Sequence, residues 1–95
     1  LCIVLCSKGY PDKFKKNVLI KNLNKIKLDN GDYCYHAGTK SIKKKIYANG
    51  GRVLNFVSMS EDFNNSRNRI FDLLKLLNWE DGFFRKDIGN KVIDK

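Results

Sequence analysis

Two glycines followed at once by an arginine, Gly50, Gly51 and Arg52, are the residues of this chain whose types and spacing best suit chemistry. Glycine lets another group approach the backbone closely, and a guanidinium binds a phosphate or carboxylate through paired hydrogen bonds. The segment therefore predicts substrate binding at an anion site. The competing interpretation is a structural hairpin, because Asn49-Gly50 is a typical turn between two strands.

A second candidate group, His36, Gly38 and Thr39, follows the end of a predicted strand. Small residues give a ligand access, the threonine offers a hydroxyl, and Lys40 adds a cation. Lys40 and Arg52 together are a plausible pair for holding a phosphate or carboxylate. The competing interpretation is a structural histidine at a strand end.

The chain shows no residue set that predicts catalysis or a metal site. It lacks the Gly-x-x-x-x-Gly-Lys-Ser/Thr phosphate loop, and no serine or cysteine has a recognisable base partner. A strand that carries both Cys2 and Cys6 would separate them by about 13 Å, too far for a disulfide. With His36 as the single histidine and no Cys-x-x-Cys pair, zinc is not expected. We expect the three cysteines to be free, buried thiols in a reducing cytoplasm.

The formal net charge of +9 suggests an anionic partner, but its composition favours a solvated surface. Fifteen of the 19 cations are lysines, and the densest run, residues 43–45, lies in a predicted turn. A nucleic-acid site would more often carry arginines interleaved with aromatic residues. We therefore expect no nucleic-acid partner, and we keep a small basic RNA-binding domain as the alternative. The apolar run of residues 1–6 is too short to span a membrane and lacks the flanks of a signal peptide, so no membrane partner is expected.

Strands, turns and one long helix must position these residues. The helix is expected over about residues 61–78, capped by Ser60, with an apolar stripe that includes Phe63, Ile70, Leu73, Leu74 and Leu77. Predicted strands cover residues 1–7, 18–20, 32–36, 42–48, 52–59 and 82–85, and residues 49–51 are expected to join two of them as a hairpin. The predicted fold class is α+β: a small, mostly antiparallel sheet with hairpins, covered by one main helix.

The length of 95 residues suits a single domain over 1–95. The chain opens directly in a buried-type strand at Leu1 rather than with Met. We expect it to be a domain taken from a longer protein.

Four segments, in this order and near these spacings, resemble the C-terminal domain of the phosphoribosylamine–glycine ligases, also called glycinamide ribonucleotide synthetases. They are Ser7-Lys8-Gly9-Tyr10-Pro11, His36-Ala37-Gly38-Thr39-Lys40, Asn49-Gly50-Gly51-Arg52-Val53-Leu54 and Phe84-Arg85-Lys86-Asp87-Ile88-Gly89. The resemblance covers nearly the whole chain. Asp12 and Asn55 depart from it, since the family commonly has glycine there, and residues 43–45 replace a turn that contains glycine in relatives.

The resemblance implies an ATP-grasp enzyme of purine biosynthesis that joins 5-phosphoribosylamine and glycine, turning ATP into ADP and phosphate. ATP and Mg²⁺ or Mn²⁺ would bind in the full-length enzyme and not to this fragment alone, which would be inactive without the ATP-grasp module missing from this chain. The fragment would contribute part of the wall of the site for small-molecule substrates. Gly50, Gly51 and Arg52 are the first choice for substrate contact, and His36, Gly38 and Thr39 the second. Tyr10-Pro11 and Asp87-Ile88-Gly89 are assigned first to folding or domain docking.

Overall fold

The computed structural model describes residues 1–85, which form two antiparallel sheets and one α-helix. The strands are β1 (Cys2–Ser7), β2 (Val18–Leu19), β3 (Asp32–His36), β4 (Thr39–Ile42), β5 (Lys45–Ala48), β6 (Arg52–Ser58) and β7 (Gly82–Phe83), and the helix is α1 (Phe63–Leu77). The first sheet has the order β3-β6-β1-β7, and the second has the order β2-β5-β4. The predicted α+β class is confirmed, with the strands divided between two sheets.

The expected hairpin through residues 49–51 is wrong, because the strands on its two sides belong to different sheets. β5 pairs with β2 and β4, whereas β6 pairs with β1 and β3. Asn49, Gly50 and Gly51 therefore carry the chain across from one sheet to the other. Which sheet each strand joins is decided by pairing with strands distant in the sequence. The local turn residues 49–51 therefore cannot predict it.

The predicted strand over residues 42–48 is also corrected, because a hairpin turn interrupts it. Lys43 and Lys44 have positive φ angles of 49° and 67° and join β4 to β5. Positive φ at both central residues is the geometry of the two-residue turn that matches the twist of paired strands. The predicted turn in the lysine run is thus confirmed, and Thr39–Ile42 is a strand that the sequence pattern did not reveal.

One face of the first sheet packs against α1 and forms the main core. The buried residues of this core are Ile3, Leu5, Leu54 and Phe56 from the sheet, with Ile70, Leu73, Leu74 and Leu77 from the helix. The four helix positions confirm the predicted stripe, because they recur every three or four residues. Phe63 is the exception: it is the first residue of the helix and 47% exposed.

The helix begins two residues later than expected, because Asp62 rather than Ser60 caps it. The Asp62 side chain accepts a hydrogen bond from the backbone N–H of Asn65 at 2.7 Å. The Ser60 hydroxyl instead donates to the carbonyl of Asp62. At the other end Asn78 adopts the left-handed conformation that commonly ends helices.

An ion pair between Arg69 and Asp32 fastens the helix to the edge of the first sheet. The Nε of Arg69 donates to Asp32 at 2.8 Å, its Nη2 donates to the carbonyl of Lys27, and the Ser58 hydroxyl donates to the other oxygen of Asp32. Burial by itself disfavours the Asp32 carboxylate, but these hydrogen bonds outweigh it and hold the pKa of Asp32 below its ordinary value.

Within residues 1–85, no helix combines the length and apolar character that crossing a membrane requires.

Candidate functional site

The loop after β3 and the crossover before β6 lie side by side at one end of the first sheet. The carbonyl of Gly38 accepts hydrogen bonds from the backbone N–H groups of Asn49 at 2.8 Å and Gly50 at 3.1 Å. The carbonyl of Val53 accepts from Ala37 and Gly38 in turn. The structure therefore joins the two predicted candidate groups through their backbones.

A third segment, the end of β1 and the turn after it, closes the same corner. The Ser7 hydroxyl donates to the carbonyl of Gly50 at 2.7 Å, and the Ser7 backbone N–H donates to the carbonyl of Gly51 at the same distance. Three of the four segments singled out in the sequence thus meet at one place. We call this place the glycine corner; it comprises Ser7, Tyr10, residues 36–39 and residues 49–52.

The glycines of the corner serve close packing within the chain. A Cβ atom at Gly38 would run into the carbonyl oxygen of Arg52, and one at Gly51 would run into the ring of Tyr10. A Cβ atom at Gly50 would lie 3.3 Å from the Cα of Gly38, tighter than most contacts of this kind. The space beside these glycines is therefore filled by protein atoms, so among Gly50, Gly51 and Arg52 the exposed functional group is the Arg52 side chain.

A β-bulge directs Arg52 to the face of the first sheet opposite α1. Leu5 lies opposite Leu54, but the next residue of β1, Cys6, lies opposite Arg52, so Val53 is an extra residue in β6. Directly opposed residues share a face, so the bulge places Arg52 on the same face as Cys6. Bulges of this kind commonly re-aim a side chain beside a functional site.

Tyr10 holds the exposed guanidinium of Arg52 from one side. The Nε of Arg52 donates to the Tyr10 hydroxyl at 3.2 Å, and this hydrogen bond raises the pKa of Arg52. The Tyr10 ring is itself held between Gly51 and Phe14, whose ring centre lies 6.1 Å away. From the sequence, folding or domain docking is the first expected role of Tyr10. The position of Tyr10 within the segment Ser7-Lys8-Gly9-Tyr10-Pro11 could have marked it as a site residue. Its contact with Arg52 could not be predicted, because the two residues are 42 positions apart in the sequence.

His36 and Thr39 form a second polar group on the other side of the corner. The Nδ1 of His36 and the Oγ1 of Thr39 lie 2.8 Å apart, in hydrogen-bond contact. His36 is opposite Leu54, whose side chain packs toward α1, so the register places His36 and Arg52 on opposite faces of the sheet. Lys40, the expected partner of Arg52, lies on β4 in the second sheet, opposite Tyr47.

A cleft of about 330 Å³ adjoins the Tyr10 side of the corner. It is lined by Cys2, Ile3, Val4, Cys6, Tyr10, Pro11, Phe83, Phe84 and Arg85. The fourth sequence segment begins at this cleft with Phe84 and Arg85, and its remaining residues, 86–89, lie outside the described part of the chain. Burial raises the pKa of the Cys6 thiol, with Arg52 opposing, so the group stays protonated at neutral pH.

Cys2, Cys6 and Cys34 are free thiols, but the expected burial is wrong for Cys2, which is exposed because it lies at the end of β1 on the face away from α1. Among residues 1–85, histidine, cysteine and acidic side chains form no group of three that would hold a metal ion. The described part of the corner therefore offers binding groups, chiefly Arg52, and no ligand set for a metal.

A family model described as phosphoribosylglycinamide synthetase, C domain, matches residues 1–91. The chain belongs to this family. The resemblance drawn from the four segments is thereby confirmed, and the glycine corner is part of a synthetase C domain.

Similar proteins and a solved structure agree with this assignment. The chain is 36% identical over 95 residues to a phosphoribosylamine–glycine ligase of Brucella melitensis, covering 100% of this chain and 22% of that protein. It is 36% identical over 93 residues to the ligase of the same name from Fusobacterium nucleatum, covering 97% of this chain and 22% of the relative. A crystal structure of phosphoribosylamine–glycine ligase from Thermotoga maritima matches with a TM-score of 0.69 and 28% identity, over 90% of this chain and 20% of that one. The chain thus spans about a fifth of the length of these relatives.

Proposed function

We propose that this chain is the C domain of a phosphoribosylamine–glycine ligase and supplies part of the wall of its substrate site. The relatives that carry this name match essentially the whole chain, at 36% identity. Because the chain spans about a fifth of their length, the activity belongs to the longer protein. That protein would use ATP to join glycine to 5-phosphoribosylamine, an early step of purine biosynthesis. The free thiols of this domain suit the reducing cytoplasm, where we place the reaction.

ATP and its Mg²⁺ or Mn²⁺ belong, in this proposal, to the ATP-grasp module outside the chain. The described residues do not fit a metal, because within 1–85 they form no group of three potential ligands. We therefore assign nucleotide and metal chemistry to the rest of the enzyme and no such step to these residues. Their task is binding and orientation of substrate.

The observation that carries the proposal is the placement of Arg52. Its guanidinium is exposed, and Tyr10 contacts it through the Nε at 3.2 Å. A guanidinium held through its Nε presents its two terminal amino groups as a fork, which matches two oxygens of one phosphate. Phosphoribosylamine carries such a phosphate, and Arg52 is assigned to it. Gly50, Gly51 and Gly38 act indirectly, by allowing the backbone approach that fixes Arg52.

His36 and Thr39 are a second proposed contact, for a polar group of the substrate rather than its phosphate. Their mutual hydrogen bond orients the imidazole. The two residues flank Ala37 and Gly38, whose backbone hydrogen bonds fix the loop between them. The register that separates His36 from Arg52 implies that the two contact different substrate groups.

Kinetics of full-length ligase with Arg52→Lys and Arg52→Ala test the assignment. Loss of a charge-assisted bidentate contact costs about 1.5–3 kcal/mol, so KM for phosphoribosylamine should rise by roughly 10- to 150-fold in Arg52→Ala. Arg52→Lys should fall between the wild type and Arg52→Ala, since a lysine keeps the charge and loses the fork. KM values for ATP and glycine should stay unchanged.

Lys45→Ala is the matched control, because it removes an exposed cation from the second sheet. It should leave all three KM values unchanged. A normal KM for phosphoribosylamine in both Arg52 variants would refute the phosphate assignment.

A small basic RNA-binding domain remains the second candidate, and one observation favours it. By register, Lys40, Lys45 and Tyr47 share one face of the second sheet, which combines cations with an aromatic ring. By contrast, Tyr33 and Tyr35 stack on each other, with ring centres 6.0 Å apart. RNA affinity that falls steeply with salt and is lost in Lys45→Ala, but kept in Arg52→Ala, would decide for this candidate.

A further inference from the structure

Ser7, the last residue of β1, is 3% exposed and bonds to the glycine corner through three of its groups. Its hydroxyl donates to the carbonyl of Gly50 and its backbone N–H donates to the carbonyl of Gly51, both at 2.7 Å. Its own carbonyl accepts a hydrogen bond from the backbone N–H of Tyr10 at 3.0 Å. Ser7 thus joins the crossover that leads into Arg52 to the turn that carries Tyr10.

The Arg52 guanidinium has two supports, and both depend on Ser7. The first is the backbone at Gly51, directly before Arg52, whose carbonyl accepts from Ser7. The second is the Tyr10 hydroxyl, which accepts from the Nε of Arg52 at 3.2 Å, while the backbone of Tyr10 donates to Ser7. A change at Ser7 therefore reaches both the base of the Arg52 side chain and the group that holds its guanidinium.

The hydroxyl of Ser7 adds a bond that strand pairing alone does not supply. Any residue other than proline at this position would keep the backbone N–H that bonds to Gly51, whereas the bond to Gly50 requires a side-chain donor. Glycine has the widest choice of backbone conformations, so a hydrogen bond to the Gly50 carbonyl restricts a segment that would otherwise vary. Because this hydroxyl is buried and donates within the chain, it is not offered to a ligand.

We propose that Ser7 is a positioning residue for substrate binding, which holds the crossover and the Tyr10 turn so that Arg52 meets the substrate phosphate. This inference rests on the proposed function, since Ser7 acts through Arg52 and does not itself touch the substrate. A binding group keeps its productive geometry only when the residues that support it are themselves fixed by packing and hydrogen bonds. Ser7 is such a support.

Ser58 supplies a matched control at the opposite end of the first sheet. It is also 3% exposed, and its hydroxyl donates to Asp32 at 2.8 Å. Loss of either hydroxyl deprives an acceptor of one hydrogen bond, so Ser7→Ala and Ser58→Ala should both lower Tm of the full-length ligase. Only Ser7→Ala should alter KM for phosphoribosylamine, because only Ser7 contacts the supports of Arg52.

Steady-state kinetics of the full-length ligase test the proposal. KM for phosphoribosylamine should rise about three- to tenfold in Ser7→Ala, less than in Arg52→Ala, because Arg52 is displaced and not removed. The KM values for ATP and glycine, and kcat, should stay within about twofold of wild type. An unchanged KM for phosphoribosylamine in Ser7→Ala, or an equal rise in Ser58→Ala, would overturn the proposal.

A double-mutant cycle with Arg52→Ala separates positioning from general weakening of the fold. If Ser7 acts through Arg52, adding Ser7→Ala to the Arg52→Ala enzyme should change KM for phosphoribosylamine by less than about 1.5-fold. Independent effects would instead multiply, and that result would overturn the proposal. A normal KM in Ser7→Ala with a raised KM in Arg52→Ala would remove the positioning role and leave the proposed function. A normal KM in Arg52→Ala would remove both.

Ser7→Cys is the second variant and decides the proposal if Ser7→Ala does not fold. A thiol is a weaker donor than a hydroxyl, so KM for phosphoribosylamine should lie between the wild-type and Ser7→Ala values, at least about twofold above wild type. The same substitution made together with Arg52→Ala should have no further effect. A wild-type KM in Ser7→Cys, with Ser7→Ala unfolded, would overturn the proposal.

Discussion

Arg69 and Arg52 each contact a neighbouring side chain, but they differ in how many protein groups accept hydrogen bonds from the guanidinium. Arg69 bonds to Asp32 at 2.8 Å, to Asp29 at 3.1 Å and to the carbonyl of Lys27 at 2.9 Å. Arg52 bonds to the hydroxyl of Tyr10 at 3.2 Å and is exposed. A guanidinium has five N–H donors, so engagement by three protein groups marks a structural role for Arg69. The one contact found for Arg52 among residues 1–85, through its Nε, suits an arginine oriented for a ligand.

We therefore expect the loss of Arg69 and the loss of Arg52 to have different effects. Arg69 joins α1 to the sheet edge and to the loop before β3, so its removal should affect stability. Arg52 lies opposite Cys6 on the face of the first sheet away from α1, where the bulge directs it away from the core, so its removal should affect substrate affinity.

Arg69→Met should have the largest effect on stability. It leaves the Asp32 carboxylate, whose side chain is 5% exposed, without its charged partner. Removing one partner of a buried pair costs about 3–5 kcal/mol, and because Arg69 itself is 31% exposed we expect about 2–3 kcal/mol. The measurement is the opening free energy of α1 from native-state hydrogen exchange in the full-length chain.

Asp29→Asn is the control for Arg69, since it removes the exposed partner of the same guanidinium. The Asp29 side chain is 78% exposed, so the expected cost is below about 0.5 kcal/mol. Similar losses in Asp29→Asn and Arg69→Met would show that burial of Asp32 is not what makes Arg69 structural.

Tyr10→Phe should have a smaller effect, on affinity alone. The phenylalanine ring keeps the packing over Gly51, while the acceptor for Arg52 is lost. The hydrogen bond is exposed and 3.2 Å long, so although its donor is charged we expect it to contribute about 0.5–1 kcal/mol. KM for phosphoribosylamine should therefore rise about two- to fivefold with kcat unchanged. Tyr47→Phe, in the second sheet, should change neither constant. A fall in kcat with KM unchanged would contradict a positioning role for Tyr10.

The smallest expected effect is confined to acid and concerns Asp32, the buried partner of Arg69. The pKa of Asp32 lies below its ordinary value of 3.8 in the folded chain, so its contribution is present above about pH 4 and is lost as the pH falls through the folded pKa. The stability difference between wild type and Asp32→Asn should therefore shrink below pH 4, as followed by α1 hydrogen exchange. A difference that stays constant from pH 7 to pH 3 would show that the ionised carboxylate contributes nothing.

The helix and its buried stripe were predictable, because Ile70, Leu73, Leu74 and Leu77 are close in sequence and their spacing is set by the helix itself. Its start was misplaced because Ser60 and Asp62 are both good capping residues, and only the backbone path selects between them. Phe63 was misassigned for a related reason, since a residue in the first turn extends beyond the surface that the stripe covers.

The glycine corner was predictable in its members and not in its geometry. The sequence marked Gly38, Gly50, Gly51 and Arg52 as unusual, and the structure places them together. The face on which Arg52 emerges depends on the register between β1 and β6, strands more than 40 residues apart, and a one-residue bulge reverses it. The contact with Tyr10 depends on the same long-range register.

The most direct test of the central claim is KM for phosphoribosylamine in the full-length Arg52→Lys ligase, measured together with the opening free energy of α1. A substrate-binding Arg52 predicts a KM raised about tenfold, with the α1 value within about 0.5 kcal/mol of wild type. An unchanged KM would contradict the claim. So would a raised KM accompanied by destabilised α1, because Arg52 would then act as Arg69 does, by holding the fold.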